Sequence, residues 1–316
     1  MRPMRAFKDA MLTIVTPVYR NEDTLAELAR RVSKIAGDMF RSYEHVFVND
    51  GSPDGSREVL RLLAEQDKNV RVISLVRNFG QHTALTVGMR HARGDYVLFL
   101  DADLEESPED IPAFAARMLD GNFEIVVGRR VNRRGSPIRN LGARAFSATF
   151  NLLSEYKLPD NATSMRLMTR RYVDYLGSFN ERPFLGGFAS WIGLPIGFVD
   201  VQMIERKRSG YSLGRLIRHA VTGVVSFSTK PIRLATITGL IVCASSLSYG
   251  TYILARYVLS DGAIAPGFTT LATFFAFFAG AQFVFIGLLG EYIGEIFIAT
   301  KNRPAFLIYD RFGFDD

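Results

Sequence analysis

A single cysteine, Cys243, excludes a disulfide within the chain and implies no oxidising compartment. No Gly-x-Gly-x-x-Gly follows the first apolar run, and no Gly-rich loop ending in Lys-Ser or Lys-Thr occurs anywhere. Those absences argue against dinucleotide oxidoreductases and phosphate-loop NTPases. Charge is frequent up to Arg233 and nearly missing from residues 234–290. Residues 1–10 carry charge but no apolar stretch, so no cleavable signal peptide is expected. There is no internal repeat and no low-complexity linker.

What is present suits one large domain plus something smaller, in 316 residues. Hydrophobic residues make up 48% and charged ones 22%, and the two are segregated along the chain. The net charge of +6 suits an anionic partner: nucleic acid, phospholipid or a phosphorylated substrate.

Residues 11–18, 43–48, 70–76, 96–100 and 123–127 read as strands, the first and fourth of them as short apolar runs. Segments with helical spacing separate them, among them residues 21–36 with Leu25, Leu28, Val32 and Ile35. Ser107-Pro108-Glu109-Asp110 reads as a helix start, with a capping residue, then proline, then acids. Strand alternating with helix predicts an α/β domain with a mostly parallel sheet and helices on both faces. Ligands bind such sheets beyond the carboxyl ends of the strands. Polar clusters stand at those ends: residues 17–22, 49–52, 77–81, 101–105 and 128–130. Five coincident clusters predict one binding site.

The centre of that site is Asp101-Ala102-Asp103, where the fourth apolar run stops. Two aspartates at the end of a buried strand are costly to leave unpaired. A hard divalent cation, shared with phosphate oxygens, would partner both. A solvated strand-end turn is the plain alternative, and the triplet by itself does not choose.

Four motifs occur in order: Thr16-Pro17-Val18-Tyr19-Arg20-Asn21-Glu22, Asn49-Asp50-Gly51-Ser52-Pro53-Asp54-Gly55-Ser56, Arg77-Asn78-Phe79-Gly80-Gln81 and Asp101-Ala102-Asp103-Leu104. Together they resemble the family-two glycosyltransferases of GT-A fold, in the branch of the polyprenyl-phosphate glycosyltransferases. The likeness runs on to Gly290-Glu291-Tyr292-Ile293-Gly294 and Arg303-Pro304. The resemblance implies that Pro17, Tyr19, Glu22 and Asp50, with Asn78, Gln81 and Ala102, bind the donor nucleotide. Asp50 is chemically able to accept a hydrogen bond from a pyrimidine ring N–H. It implies that Asp101 and Asp103 hold Mg²⁺ or Mn²⁺ on the diphosphate, and that Arg129, Arg144 and Ser147 hold the acceptor phosphate, a group that suits arginine's planar fork. Arg129 is also taken as catalytic, with Asp101 and Asp103. Arg206 or Arg208 would reach the donor diphosphate, in a motif that registers more than one way. The sequence departs from the family at Asn49, usually Asp, and at Glu105, usually Gln. Glu105 is read as a third metal ligand, with a surface acid as its alternative.

Residues 211–230 space apolar side chains helically among Arg215, Arg218 and His219, which predicts an amphipathic helix lying in a membrane interface. Residues 234–255 and 268–290 are free of charge, and a bilayer core needs roughly 20 such residues. Lys230, Arg233, Lys301 and Arg303 flank this pair, and the linker at residues 259–267 has none. The positive-inside rule then places both termini in the cytoplasm. The expected layout is a GT-A domain at 1–210, an amphipathic segment at 211–233, two transmembrane helices at 234–300 and a cytoplasmic tail at 301–316.

The expected activity is inverting transfer of a sugar from a nucleotide-sugar, a UDP-sugar for preference, to an undecaprenyl-type phosphate at the cytoplasmic membrane. The expected partners are the donor, the acceptor, the bilayer and further copies of the chain, with no nucleic acid. Two alternatives stand beside it. A polysaccharide synthase acting on hydroxyl acceptors brings a Gln-x-x-Arg-Trp motif, which the sole tryptophan, Trp191 in Ala189-Ser190-Trp191-Ile192, does not fit. A degenerate scaffold or lipid-carrier-binding protein draws on Asn49 and Glu105.

Overall fold

A computed structural model describes residues 7–131, 161–178, 193–204, 230–259, 267–300 and 304–314. Arg144, Ser147, Arg206 and Arg208 lie outside the described residues, as does the amphipathic stretch up to residue 229. The chain divides into two units, one of which takes in the N-terminal part and residues 303–316.

That unit is built on an eight-stranded sheet. Its strands are β1 (Met11–Val18), β2 (Ser42–Asn49), β3 (Val70–Leu75), β4 (Tyr96–Phe99), β5 (Ile125–Arg130), β6 (Ala162–Thr169), β7 (Ile196–Val201) and β8 (Ile308–Phe312). They lie in the order β7-β5-β6-β4-β1-β2-β3-β8. The strands β4, β1, β2 and β3 run parallel, as does the pair β5 and β7, so four of the seven pairings are parallel. Strand β6 enters antiparallel between β4 and β5, and β8 closes the other edge antiparallel to β3.

The five expected strands are present. The fifth is displaced: it runs through Arg130, because parallel pairing with β7 continues to Arg130↔Val201. The cluster at 128–130 is therefore part of the strand and not a loop beyond it. Strands β6, β7 and β8 were not expected. The last of them comes from the segment taken as a tail.

Alternate residues of β1 point to opposite faces, as strand geometry requires. Leu12, Ile14 and Val18 join one core and Val15 another. The helix α1 (Leu25–Met39) buries Leu25, Leu28, Val32, Ala36 and Met39 on one stripe. With α2 (Ser56–Gln66) and α4 (Ile111–Asp120) it covers the first face. The helices α3 (Gln81–His91) and α5 (Arg170–Gly177) pack on the second. A single 3₁₀ turn, Pro108–Asp110, leads into α4 at the expected helix start.

The other unit contains α6 (Lys230–Leu259) and α7 (Phe268–Thr300). Within α7, Phe277–Gly294 is long and apolar enough to cross a membrane. Two spans were expected, and among the described residues only this one qualifies. The helix α6 is 30 residues long and carries Thr236, Thr238, Ser245, Ser246 and Ser248 among its apolar residues. The charge-free stretch within α6 is residues 234–255, between Arg233 and Arg256.

Candidate active site

The polar clusters at the ends of β1 to β4 are joined by specific hydrogen bonds. At the end of β2, Asn49 Oδ1 accepts the Ser52 N–H at 3.0 Å and closes the turn. Gly51 stands in this turn at φ 61°, and a Cβ there would lie 2.4 Å from the Arg77 carbonyl carbon. Only glycine permits both the left-handed backbone and the close approach. That approach brings the Arg77–Gly80 loop over Asp50. The Asp50 carboxylate is 2% exposed and accepts the N–H of Phe79 at 2.7 Å and of Gly80 at 2.8 Å. Burial pushes Asp50 up from its ordinary value, and these two bonds pull it down.

The first cluster joins the second. Glu22 accepts the Gly55 N–H, and Arg20 donates its N–H to Ser52 Oγ at 2.7 Å. Arg20 sits at φ 59°, a conformation an arginine rarely adopts. Tyr19 is exposed beside it and Pro17 is half-buried. Asn78 is exposed in its loop.

Strand β4 ends at Phe99 and the chain turns through Asp101-Ala102-Asp103. The turn is held from several sides. Thr24, in the usual capping position of α1, makes no cap bond and donates instead to the Ala102 carbonyl at 2.6 Å. Ile204 donates its N–H to the Glu105 carbonyl at 2.9 Å. Leu104 takes φ 58° and packs into the core. Gln81 Nε2 donates to Asp101 Oδ1 at 2.8 Å, and Asp103 Oδ1 accepts the Glu105 N–H at 3.0 Å.

Glu106 went unnoticed in the sequence. It is 3% exposed, and its Oε1 accepts the Met165 N–H at 2.9 Å. Burial pushes the Asp101 and Glu106 carboxyls up, and each is raised further by its acidic neighbours. A hydrogen bond from Ser164 and the charge of Arg166 pull Asp101 back. No pattern along the chain distinguishes Glu106 from Glu105; the distinction needs β6 alongside.

This crowding of carboxyls fits a hard cation, which takes oxygen ligands and relieves their mutual repulsion. Among the described residues no three His, Cys, Asp or Glu side chains converge to hold a metal by themselves. One or two carboxylates completed by substrate phosphate is the usual arrangement for Mg²⁺.

Arg129 lies on β5 beside Asp200 of β7, and its Nε donates to Asp200 Oδ1 at 2.7 Å. The bond to Asp200 raises the guanidinium further and lowers the carboxylate. Both side chains are about half exposed, at 50% and 52%. The structure thus gives Arg129 a carboxylate partner that the sequence did not suggest.

The chain is similar to known proteins over most of its length. An uncharacterised glycosyltransferase of Synechocystis is 30% identical over 308 residues, covering 96% of each chain. A prophage bactoprenol glucosyl transferase homologue of Escherichia coli K12 is 32% identical over 305 residues, covering 94% of this chain and 98% of its own. Glucosyl-3-phosphoglycerate synthase of Mycobacterium tuberculosis, solved with Mn²⁺, UDP-glucose and phosphoglyceric acid, shares the fold with a TM-score of 0.52 at 21% identity, over 71% of this chain and 82% of that one. The profile of Glycosyl transferase family 2 matches residues 13–177, and the chain belongs to that family.

Proposed function

We propose that this chain is a membrane-bound inverting glycosyltransferase that moves a sugar from a nucleotide-sugar, a UDP-sugar for preference, to the phosphate of an undecaprenyl-type lipid. The observation that carries the reading is the linkage at the strand ends. Asp50 clamps the 77–80 loop, and Gln81 at the end of that loop reaches Asp101. A nucleotide pocket and a diphosphate site would then share one wall. The bactoprenol named for the Escherichia coli relative supports the acceptor class.

Asp101 and Asp103 would hold Mg²⁺ or Mn²⁺, which supplies positive charge opposite the leaving diphosphate. The remaining work falls to the chain. Pro17, Tyr19 and Asn78 would line the nucleotide side, with Glu22 and Asp50 fixing the loops behind them. Arg129 would exchange Asp200 for the acceptor phosphate, an anion of greater charge, with Arg144 and Ser147 beside it. A phosphate monoester has a second pKa of about 6, so it is largely dianionic near neutral pH and needs little help from a general base. In-line attack by its oxygen on the anomeric carbon would expel the nucleoside diphosphate and invert that centre.

The lipid acceptor is confined to the bilayer, so anchoring the enzyme there brings the reactants together by proximity. The apolar window Phe277–Gly294 of α7 supports anchoring. In this reading α6 provides the other crossing and both termini are cytoplasmic. The test is transfer of radiolabelled sugar from a panel of sugar nucleotides to extracted polyprenyl phosphate. Wild type should label the lipid from one donor, and Asp101→Asn and Asp103→Asn should not. No labelled lipid from any donor would overturn the proposal.

A further inference from the structure

We propose that Glu106 is a positioning residue, whose buried carboxyl pins β6 to the Asp101–Asp103 turn and so sets where the turn's carboxylates face. The inference deepens the function proposed above and rests on it for the role of the turn.

The ladder between β4 and β6 ends at the pair Phe99↔Arg166. Met165 lies one residue beyond that pair, where β4 has already given way to the turn. A buried N–H left there without a partner would cost about 1–3 kcal/mol. Glu106 supplies the missing acceptor, Oε1, at 2.9 Å. A circuit results. Asp101 is bonded to Ser164, Ser164 is followed by Met165, Met165 is bonded to Glu106, and Glu106 returns through the turn to Asp101.

The surroundings leave this circuit little slack. Glu106 and the neighbouring Thr163 are both buried, and a hydrogen bond between their side chains lowers the Glu106 carboxyl against the pull of burial. A Cβ on Gly128 of β5 would come within 2.4 Å of the Thr163 hydroxyl. Strand β6 is therefore pressed from the β5 side, and Glu106 meets it from the turn side. Burying a carboxyl is expensive, and leucine or methionine would fill the space at less cost if packing were the only demand. The requirement met here is for an acceptor at a fixed point.

Acceptor and charge are separable. Glu106→Gln keeps a carbonyl oxygen for the Met165 N–H and removes the charge. Glu106→Met keeps the volume and removes the acceptor. Two measurements on detergent-solubilised full-length protein decide. One is Mn²⁺ affinity by electron paramagnetic resonance in the presence of UDP. The other is amide hydrogen exchange of residues 100–107 and Met165 without ligand. Glu106→Gln should stay within about threefold of wild type in both, while Glu106→Met should weaken Mn²⁺ about tenfold and speed exchange about tenfold. Glu106→Met matching wild type in exchange, or Glu106→Gln falling as far as Glu106→Met, would overturn the proposal. A wild type that binds no Mn²⁺ with UDP would overturn the reading of the turn as a cation site. The exchange comparison, made without ligand, would still decide the role of Glu106.

Discussion

Gln81 and Asp101 are 20 residues apart in sequence and joined by a 2.8 Å hydrogen bond between the first turn of α3 and the end of β4. The bond orients one carboxylate oxygen and leaves the other uncommitted to Gln81. Because Gln81 is exposed, its loss should cost about 1 kcal/mol, roughly fivefold in an equilibrium. Gln81→Ala should raise the Mn²⁺ concentration needed for half-maximal transfer by about that factor, with an unchanged melting temperature. An unaltered metal requirement would show that Asp101 is oriented without Gln81.

Asp50→Ala should be more severe, since it strips the acceptor from two loop N–H groups. The cost is about 2 kcal/mol or more where both donors stay shielded from water. Titration of sugar nucleotide should show affinity reduced at least tenfold, and hydrogen exchange should quicken at Phe79 and Gly80. Wild-type affinity in this variant would place the nucleotide away from the loop.

Arg129→Ala should separate acceptor from donor. Loss of a charge-assisted bond to phosphate would raise the apparent KM for polyprenyl phosphate roughly ten- to a hundredfold. Donor affinity, read by titration, should be little changed, and so should thermal stability, since exposed ion pairs contribute little. If this variant loses the nucleotide as badly as Asp50→Ala, Arg129 belongs to the donor side.

His45 predicts an acid-sensitive fold. Its ring is 1% exposed, stacks on Phe47 with centroids 3.8 Å apart and lies 2.9 Å from the Thr16 hydroxyl. Burial lowers its pKa from 6.5 to about 3. The unfolded chain therefore binds a proton that the folded chain refuses between those values. The resulting stability is fully present above about pH 6.5 and is lost as pH falls toward 3, at about 1.4 kcal/mol per unit. His45→Asn should flatten the fall in melting temperature between pH 6.5 and 4.5. An equal slope in both proteins would show that other groups control acid unfolding.

The proposed topology is testable on intact cells. In a background with Cys243→Ser, a cysteine at Gly262 should react with an impermeant reagent and one at exposed Arg311 should not. The reverse pattern would overturn the orientation.

Strands β1 to β4 were legible because apolar residues dominate each of them, even where a buried polar residue such as Thr13, His45 or Ser74 stands in the run. The loops that follow were legible because polar residues interrupt those runs abruptly. Strand β6 was not, since Ser164 and Arg166 break its alternation and its partners on both sides are distant in sequence. Without β6, Glu106 is merely the acid beside Glu105. The left-handed residue Leu104 redirects the chain between Asp103 and these two glutamates, and nothing local in the sequence announces that conformation in a leucine. Asp200 was missed for a similar reason: it meets Arg129 only through the pairing of β5 with β7.

Strand β8 has a practical consequence. It returns to the sheet after both long helices, and Gly313, at φ 74°, would bring a Cβ within 2.3 Å of the Val70 carbonyl oxygen. Arg57 pairs with Asp310 and lies 4.7 Å from the Tyr309 ring centre. Phe306, Ile308 and Phe314 pack on the core beneath α3. A soluble fragment made by stopping the chain before α6 would therefore lack its outermost strand. It would present the bare hydrogen-bonding edge of β3, an invitation to aggregate. Joining residues 304–316 to the truncated end through a flexible linker, or adding them as a separate peptide, should give the better-behaved protein.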